Sequence, residues 1–275
     1  MLVFTSITAE VLKLNAIAVS WQIQDTDEDI SNFHFTVTKS FSPGGPFEPI
    51  SQPLVNLFSF MDTAEQMKSN WRKIYYRVSA KDVITGQVLL SDIADLTSPA
   101  DFVVLEIRRR EDLYLRRYVG VRAAVFIQKT WGRRCGSCWD QRKQRVSKST
   151  CRTCFNTGYD GGYFPQVNQF VNFSPSPELV QLLETGERQQ NNTNLWLGNY
   201  PLLSPRDMIV EFPSKKHWRV VTVGKTEHKR AVLRQIAQIV EITRSDVEYD
   251  VPVNDFPVPP DPFIGFYPPT GSGLL

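Results

Sequence analysis

The sequence predicts a mainly β, multidomain protein organised around a small metal-bound ribbon. Three observations carry that expectation. Short alternating apolar–polar runs, each closed by turn-forming residues, fill most of the first hundred positions. The only four cysteines lie in one stretch, as Cys135-Gly136-Ser137-Cys138 and, twelve residues later, Cys151-Arg152-Thr153-Cys154. A second β-rich stretch follows, and the chain ends in a segment with seven prolines among its last 25 residues. Four parts are therefore expected: a β-sandwich over 1–97, a helix, strand and ribbon over 98–165, a β-rich module over 166–250, and an extended Pro-rich tail over 251–275.

The balance of 41% apolar and 22% charged residues, with a net charge of +2, is that of an ordinary globular protein. No apolar run approaches the ~18–20 residues needed to span a bilayer. The opening Met1-Leu2-Val3-Phe4 is too short for a secretory signal, so folding in a reducing cytoplasm is expected. Charge is uneven, however: residues 108–152 hold 14 Lys and Arg against three acids, Glu111, Asp112 and Asp140.

In the first part, Ile17, Val19, Trp21 and Ile23 alternate with smaller or polar residues and share one strand face. Phe33-His34-Phe35-Thr36-Val37-Thr38 and Ile74-Tyr75-Tyr76-Arg77-Val78-Ser79-Ala80 repeat the pattern. The acidic turn 25–29, Pro43-Gly44-Gly45-Pro46 and Thr85-Gly86 punctuate it. That acidic turn lacks the glycine and distal glutamate of a calcium loop and is expected to be solvated.

A helix is predicted over about 99–118, capped by Ser98 with Pro99 at its first position and closed near Gly120. Its apolar face would hold Val104, Ile107, Tyr114 and Tyr118. Arg108, Arg109, Arg110, Arg116 and Arg117 would lie opposite, on a solvated or partner-binding face. A strand over 121–129 then delivers the chain to the first cysteine pair. Beyond the second pair, 176–186 suggests a short helix and 189–194 a polar loop. Strands follow at 208–212 and 217–223, and at 231–242, where helix is equally compatible.

Two residues between thiolates let both sulfurs of a pair face one ion, and two such knuckles supply a tetrahedron. The segment between them carries little apolar surface, only Trp139 and Val146, so metal binding would supply much of its folding free energy. Two disulfides would need an oxidising compartment, and a redox dithiol needs only one pair. A structural Zn2+ held by Cys135, Cys138, Cys151 and Cys154 is the expectation, with iron as the alternative ion. Four thiolates leave no open position for catalysis. His34, His217 and His228 lie apart, and no phosphate loop, nucleophile elbow or paired-carboxylate signature occurs, so no enzymatic activity is expected.

Several segments resemble known families. Val19-Ser20-Trp21 matches the second strand of fibronectin type III domains with its core tryptophan. Phe33-His34-Phe35-Thr36-Val37 matches their third strand and Tyr76-Arg77-Val78-Ser79-Ala80 their sixth, while 43–50 looks like the turn after the third. That family's corner tyrosine would fall at Ile74, so the corner is expected to be absent or remade by Tyr75. The resemblance implies a spacer or binding sandwich. The run Cys151 to Gly158 is similar to the glycine-rich zinc repeats of J-domain chaperones, with Asn156 where glycine is usual. No J-domain accompanies it, so only the knuckle carries over.

The whole layout resembles neck and head–tail connector proteins of tailed bacteriophages, in 107–113, 131–135, 157–163 and 204–211 with 217–220. This resemblance implies a non-enzymatic virion protein, assembled in the host cytoplasm. Its partners would be portal, connector or tail components, copies of itself and packaged DNA, without membrane or small-molecule substrate. The alternative from the residues themselves is a zinc-ribbon nucleic-acid binder. Its contacts would be Arg133, Arg134, Arg142, Lys143, Arg145 and Lys148, with Trp139 and Phe155 available for stacking.

Overall fold

The computed structural model describes residues 2–13, 16–63, 73–96, 101–174, 192–212 and 214–255, and the backbone of 180–183 and 186–189. The chain is mainly β. Its elements are β1 (Phe4–Lys13), β2 (Ala16–Ile23), β3 (Phe33–Ser40), β4 (Glu48–Pro49), β5 (Ser59–Asp62), β6 (Tyr75–Asp82), β7 (Val88–Leu90), β8 (Ala94–Asp95), α1 (Phe102–Tyr114), β9 (Val121–Phe126), β10 (Trp139–Asp140), β11 (Arg145–Val146), β12 (Val167–Phe173), β13 (Val180–Leu183), β14 (Gly186–Gln189), β15 (Asn192–Leu197), β16 (Met208–Glu211), β17 (His217–His228) and β18 (Ala231–Glu241). No helix among the described residues is long and apolar enough to cross a membrane.

Two antiparallel sheets make the N-terminal part, in the orders β1-β2-β5 and β4-β3-β6-β7, with β8 also on β6. The alternation read from the sequence places Ile17, Val19, Trp21 and Ile23 inward from one sheet, and Phe35, Val37, Tyr76, Val78 and Ala80 from the other. The rings of Trp21, Phe35 and Phe58 meet at centroid distances of 5.5–6.5 Å. Buried Asp62 accepts hydrogen bonds from the Tyr76 hydroxyl at 3.0 Å and the Lys39 ammonium at 3.3 Å, which offset its desolvation. At the place of the corner tyrosine, Ile74 is an apolar core residue.

Helix α1 differs from expectation at its start and in its face. Asp101, not Ser98, is the N-cap: its carboxylate accepts from the N–H groups of Val103 and Val104. Residues 98–100 lie outside the described residues. A single π-helical turn, Leu115–Val119, prolongs α1 and rotates its last residues about the axis. Gly120 ends it, where a Cβ would stand 2.2 Å from the Leu115 carbonyl oxygen, a distance no side chain tolerates. Val104, Leu105 and Leu115 face inward, whereas Tyr118 is 74% exposed.

The largest correction concerns Arg108. It was expected on a solvated or partner-binding face, yet it is only 4% exposed. Its guanidinium donates to the carbonyls of Val11 at 2.9 Å and Val232 at 2.8 Å and to the Glu10 carboxylate at 3.2 Å. It therefore pins α1 between β1 and β18. Arg108→Met keeps the stem but orphans both carbonyls, and about 2–4 kcal/mol of stability should be lost. Denaturant unfolding checks this; an unchanged midpoint would show that the pin is idle.

Six strands form a closed antiparallel barrel, β12-β15-β18-β17-β16-β9, closed by β12 pairing with β9. The strand expected only to feed the cysteine ribbon is thus a barrel stave. The ribbon is an insertion between staves β9 and β12. Ala123, Val125, Leu195, Leu197, Ile209, Val220, Ala237 and Ile239 fill the interior. Gln235 is buried with them, accepting from the Leu203 N–H at 2.8 Å and donating to the carbonyls of Pro201 at 2.8 Å and Gly198 at 3.1 Å. It ties the loop after β15 to β18.

Segment 231–242, ambiguous in the sequence, is strand to Glu241 because its alternate residues line the barrel. The helix expected over 176–186 is replaced by the β13–β14 backbone hairpin; its proposed cap, Ser176, lies outside the described residues.

Staves β9 and β16 are buried on both faces. Ala124, Phe126, Met208 and Val210 point outward and are covered by Phe155 and Tyr163 of the ribbon and by Ile242 and Val251. Val251, expected in the extended tail, is thus a packed residue. The Asn254 N–H donates to Gln166 Oε1 at 2.8 Å, and Gln166 Nε2 donates back to the Asn254 carbonyl at 3.0 Å. The remainder of the tail, 256–275, lies outside the described residues.

Asp207 joins the barrel to the ribbon. Its carboxylate accepts from the N–H groups of Gln128 at 2.8 Å and Ser204 at 2.6 Å. Burial pushes its pKa up to about 6, against the pull of those two donors. Between pH about 4 and about 6 the folded chain holds a proton the unfolded chain lacks. That contribution, ~3 kcal/mol, is full below the lower pH and lost as pH rises through the upper. A carboxyl resonance titrating near pH 6 and absent in Asp207→Asn is the expected result.

Candidate metal centre

The four cysteines converge as the spacing implied. Their sulfurs all lie within 4.8 Å of one another and all four residues are buried. Cys135 Sγ stands 3.8 Å from Cys151 Sγ, and Cys138 Sγ 3.2 Å from Cys154 Sγ. A tetrahedral ion with metal–sulfur bonds of about 2.3 Å has sulfur–sulfur edges of about 3.8 Å, so the cluster fits such an ion with small adjustments. The cysteines are not joined by disulfides.

Local structure explains the convergence. Cys135 N–H donates to the Gly158 carbonyl at 3.0 Å, linking the two knuckles, and Trp139 N–H to the Cys135 carbonyl at 3.0 Å. The Cys154 carbonyl accepts from the Thr157 N–H at 2.9 Å and hydroxyl at 2.7 Å, closing the second knuckle. Asn156 adopts φ +65°, the left-handed region that favours glycine and tolerates asparagine. At Gly162, φ is +68° and a Cβ would meet the Cys154 carbonyl oxygen at 2.7 Å. Between the knuckles the chain makes the small hairpin β10–β11, with Trp139 opposite Val146. Val146 packs on the sulfurs.

Burial pushes the Cys138 and Cys154 thiols up. At Cys151 burial also acts upward, but the N–H groups of Cys154 and Thr153 and the neighbouring thiols outweigh it and bring it down to about 6. Four adjacent thiolates repel one another unless a cation lies among them. Ion binding would release protons, so acidification should expel the ion.

The ribbon is held on both sides. Phe155 and Tyr163 dock on the barrel. Toward the sandwich, Trp131 packs on Phe58 at 4.8 Å and Phe164 at 4.9 Å. The acidic turn expected to be solvated is the other anchor. Asp25 accepts from Arg134 at 2.7 Å and from the Gly132 N–H at 3.1 Å. Asp29 lies 3.5 Å from Arg133. Hydrogen bonds from the Ser31 hydroxyl and N–H, then Arg133, hold the Asp29 pKa down. The Arg134 guanidinium is stacked between the rings of Trp139 and Tyr159, at 4.1 and 4.2 Å.

The arginines expected to meet partners are thus mostly engaged within the chain. Arg109 and Arg110 converge on Glu106, whose carboxyl their hydrogen bonds pull down to about 2. Arg116 pairs with Asp112 at 3.1 Å. Arg117 also has an interaction within the fold. Trp139 and Phe155, expected to be free for stacking, are covered by Arg134 and by the barrel. Arg142, Lys143 and Arg145 remain exposed on the hairpin. Sequence reasoning missed Asp25 and Asp207 as anchors; a carboxylate in a turn carries no local sign of a partner more than 75 residues away. A cleft of about 510 Å³ opens where sandwich, ribbon and barrel meet, with Phe58, Trp131, Phe164 and Lys129 on its walls.

No protein-family model and no curated protein sequence matches the chain. Among solved structures, a β-1,2-glucanase from Parabacteroides distasonis aligns with 42% of this chain and 15% of its own, at 19% identity and a TM-score of 0.28. The aligned region is a small share of that enzyme, and a likeness this slight carries no argument about fold or activity.

Proposed function

We propose that the chain is a non-enzymatic virion structural protein, a neck or head–tail connector component of a tailed bacteriophage, in which a structural zinc ion fixes the junction of its β modules. One observation carries this reading. The thiolate cluster is buried, supplies the four sulfurs of a complete tetrahedral set, and sits in a ribbon anchored to sandwich and barrel at once. Such a site stabilises a shape rather than performing a reaction. Soft four-sulfur ligation favours zinc over iron where no other cofactor signal exists.

The segments that resemble phage connectors are spread over the helix, the ribbon and the barrel. Residues 107–113 belong to α1, 131–135 and 157–163 are the two ends of the ribbon, and 204–211 carries Asp207. The N-terminal sandwich is read as fibronectin type III-like, because the matching residues occupy its second, third and sixth strands. Partners are portal, connector or tail proteins and copies of itself, with no small-molecule substrate and no membrane. The Pro-rich tail serves as the docking arm, beginning beyond the Gln166–Asn254 clamp. Proline restricts the unfolded chain, so ordering such an arm on a neighbour costs less entropy.

Removing residues 256–275 should leave unfolding and metal content unchanged yet abolish incorporation into particles. Particle purification with antibody detection tests both claims. Unchanged incorporation would dismiss the arm, and absence of the full chain from particles would dismiss the virion role.

A further inference from the structure

The structure sorts the basic centre into engaged and free charges. Of the arginines and lysines that the sequence marks as candidate contacts, Arg108, Arg109, Arg110, Arg116, Arg117, Arg133 and Arg134 interact within the chain. Arg142, Lys143 and Arg145 stand with Lys148 on or just after the β10–β11 hairpin, all exposed. No carboxylate among the described residues lies within ion-pair distance of these four side chains. Asp140 is the sole acid between the cysteine pairs. Its carboxylate accepts from the backbone N–H groups of Arg142 and Lys143 at 3.0 and 3.1 Å, which shapes the turn. Four cations within seven residues are therefore displayed with no acidic side chain among them.

We propose that this hairpin is a docking surface for the phosphate backbone of a duplex nucleic acid. Charge selects a polyanion, and the shape and composition of the tip select the class. Residues 141–145, Gln-Arg-Lys-Gln-Arg, are all polar, and Val146 is turned onto the cysteines, so nothing apolar is available to enter a lipid surface. Trp139 lies under Arg134 and Phe155 under the barrel, so the ribbon offers no free ring on which unpaired bases could stack. A two-stranded ribbon is of a size that the major groove, about 12 Å wide, admits. Gln141 and Gln144 add hydrogen-bonding groups beside the cations. The hairpin leaves the first cysteine pair at Cys138, and the Ser147 N–H returns to the Cys138 carbonyl at 2.7 Å, so its geometry is fixed before any partner arrives.

Such a surface reads charge and not sequence. Four phosphate contacts would give a slope of log affinity against log salt of about −3.6. The inference does not depend on the virion role, since a purified chain would show it in either case.

The test is fluorescence anisotropy of a labelled short DNA duplex titrated with the full metal-loaded chain over a series of salt concentrations. The triple variant Arg142→Gln, Lys143→Gln, Arg145→Gln should weaken binding at least about tenfold at low salt and flatten the slope by about 3. The charge-preserving set Arg142→Lys, Lys143→Arg, Arg145→Lys should bind like the unaltered chain, which separates lost charge from a damaged hairpin. The pair Arg109→Gln, Arg110→Gln should leave binding unchanged. No duplex binding at low salt, equal binding by the glutamine variant, or tighter binding to the single strand or to phosphatidylglycerol vesicles would each overturn the proposal.

Discussion

Replacing Cys135 by Ser is expected to release the metal and unfold the segment between Gly132 and Tyr163 while leaving the sandwich sheets paired. The segment between the cysteine pairs owns little apolar surface beyond Trp139 and Val146, so an ion among the four sulfurs would serve as its core. The damage should not stop there. Phe155 and Tyr163 cover the outer face of β9 and β16, and Arg134 and Trp131 grip the sandwich. Losing the ribbon's shape would therefore expose apolar barrel surface and free the acidic turn. Limited proteolysis should give new cuts between the cysteine pairs, and the barrel's unfolding transition should move to lower denaturant. Chelation of the unaltered chain should reproduce both effects. A Cys135→Ser protein with native protease resistance in the ribbon would show that packing alone holds it.

The second large effect is expected at Trp21, which is 1% exposed at the centre of the sandwich. Its ring meets those of Phe35 and Phe58 at centroid distances of 5.8 and 6.5 Å, so alanine there would leave a cavity among aromatic neighbours. Trp21→Ala should cost about 3–5 kcal/mol, a large part of the roughly 5–15 kcal/mol available to a domain. The Trp21 indole N–H has no hydrogen-bond partner among the described residues, so Trp21→Phe removes an unpaired donor along with some volume. Its cost should be well below that of alanine. Chemical denaturation followed by circular dichroism reads both, and equal losses for the two variants would contradict the packing argument.

How much of the fold is legible in the sequence depends on how local each interaction is. Trp21 and its alternating neighbours declare a buried strand face because the pattern lies within eight residues. The cysteine pairs declare a metal site because the ligand spacing is itself the geometry. Arg108 is misplaced by sequence because its partners are 97 and 124 residues away, and a helical wheel counts an arginine as polar whatever carbonyls await it. Tyr114 and Tyr118, assigned to the apolar face by regular helical spacing, instead lie exposed with their rings 5.9 Å apart, because Val104, Leu105, Arg108 and Leu115 take the inward side. Strand β9 is legible as a strand but not as a barrel stave. Its continuous apolar run reflects burial on both faces, and the covering residues come from the ribbon and from beyond β18. Val251 reads as part of an extended tail because it opens the proline-rich stretch, with Pro252 directly after it, yet a single valine can still dock on a barrel.

One metal ion, bound by Cys135, Cys138, Cys151 and Cys154, is expected to hold the ribbon between sandwich and barrel. Elemental analysis of the purified chain, repeated on Cys135→Ser, tests it most directly. Zinc at about one ion per unaltered chain and near zero in the variant is the expected result for a closed four-thiolate site. A fully folded, protease-resistant chain that carries no metal would contradict it.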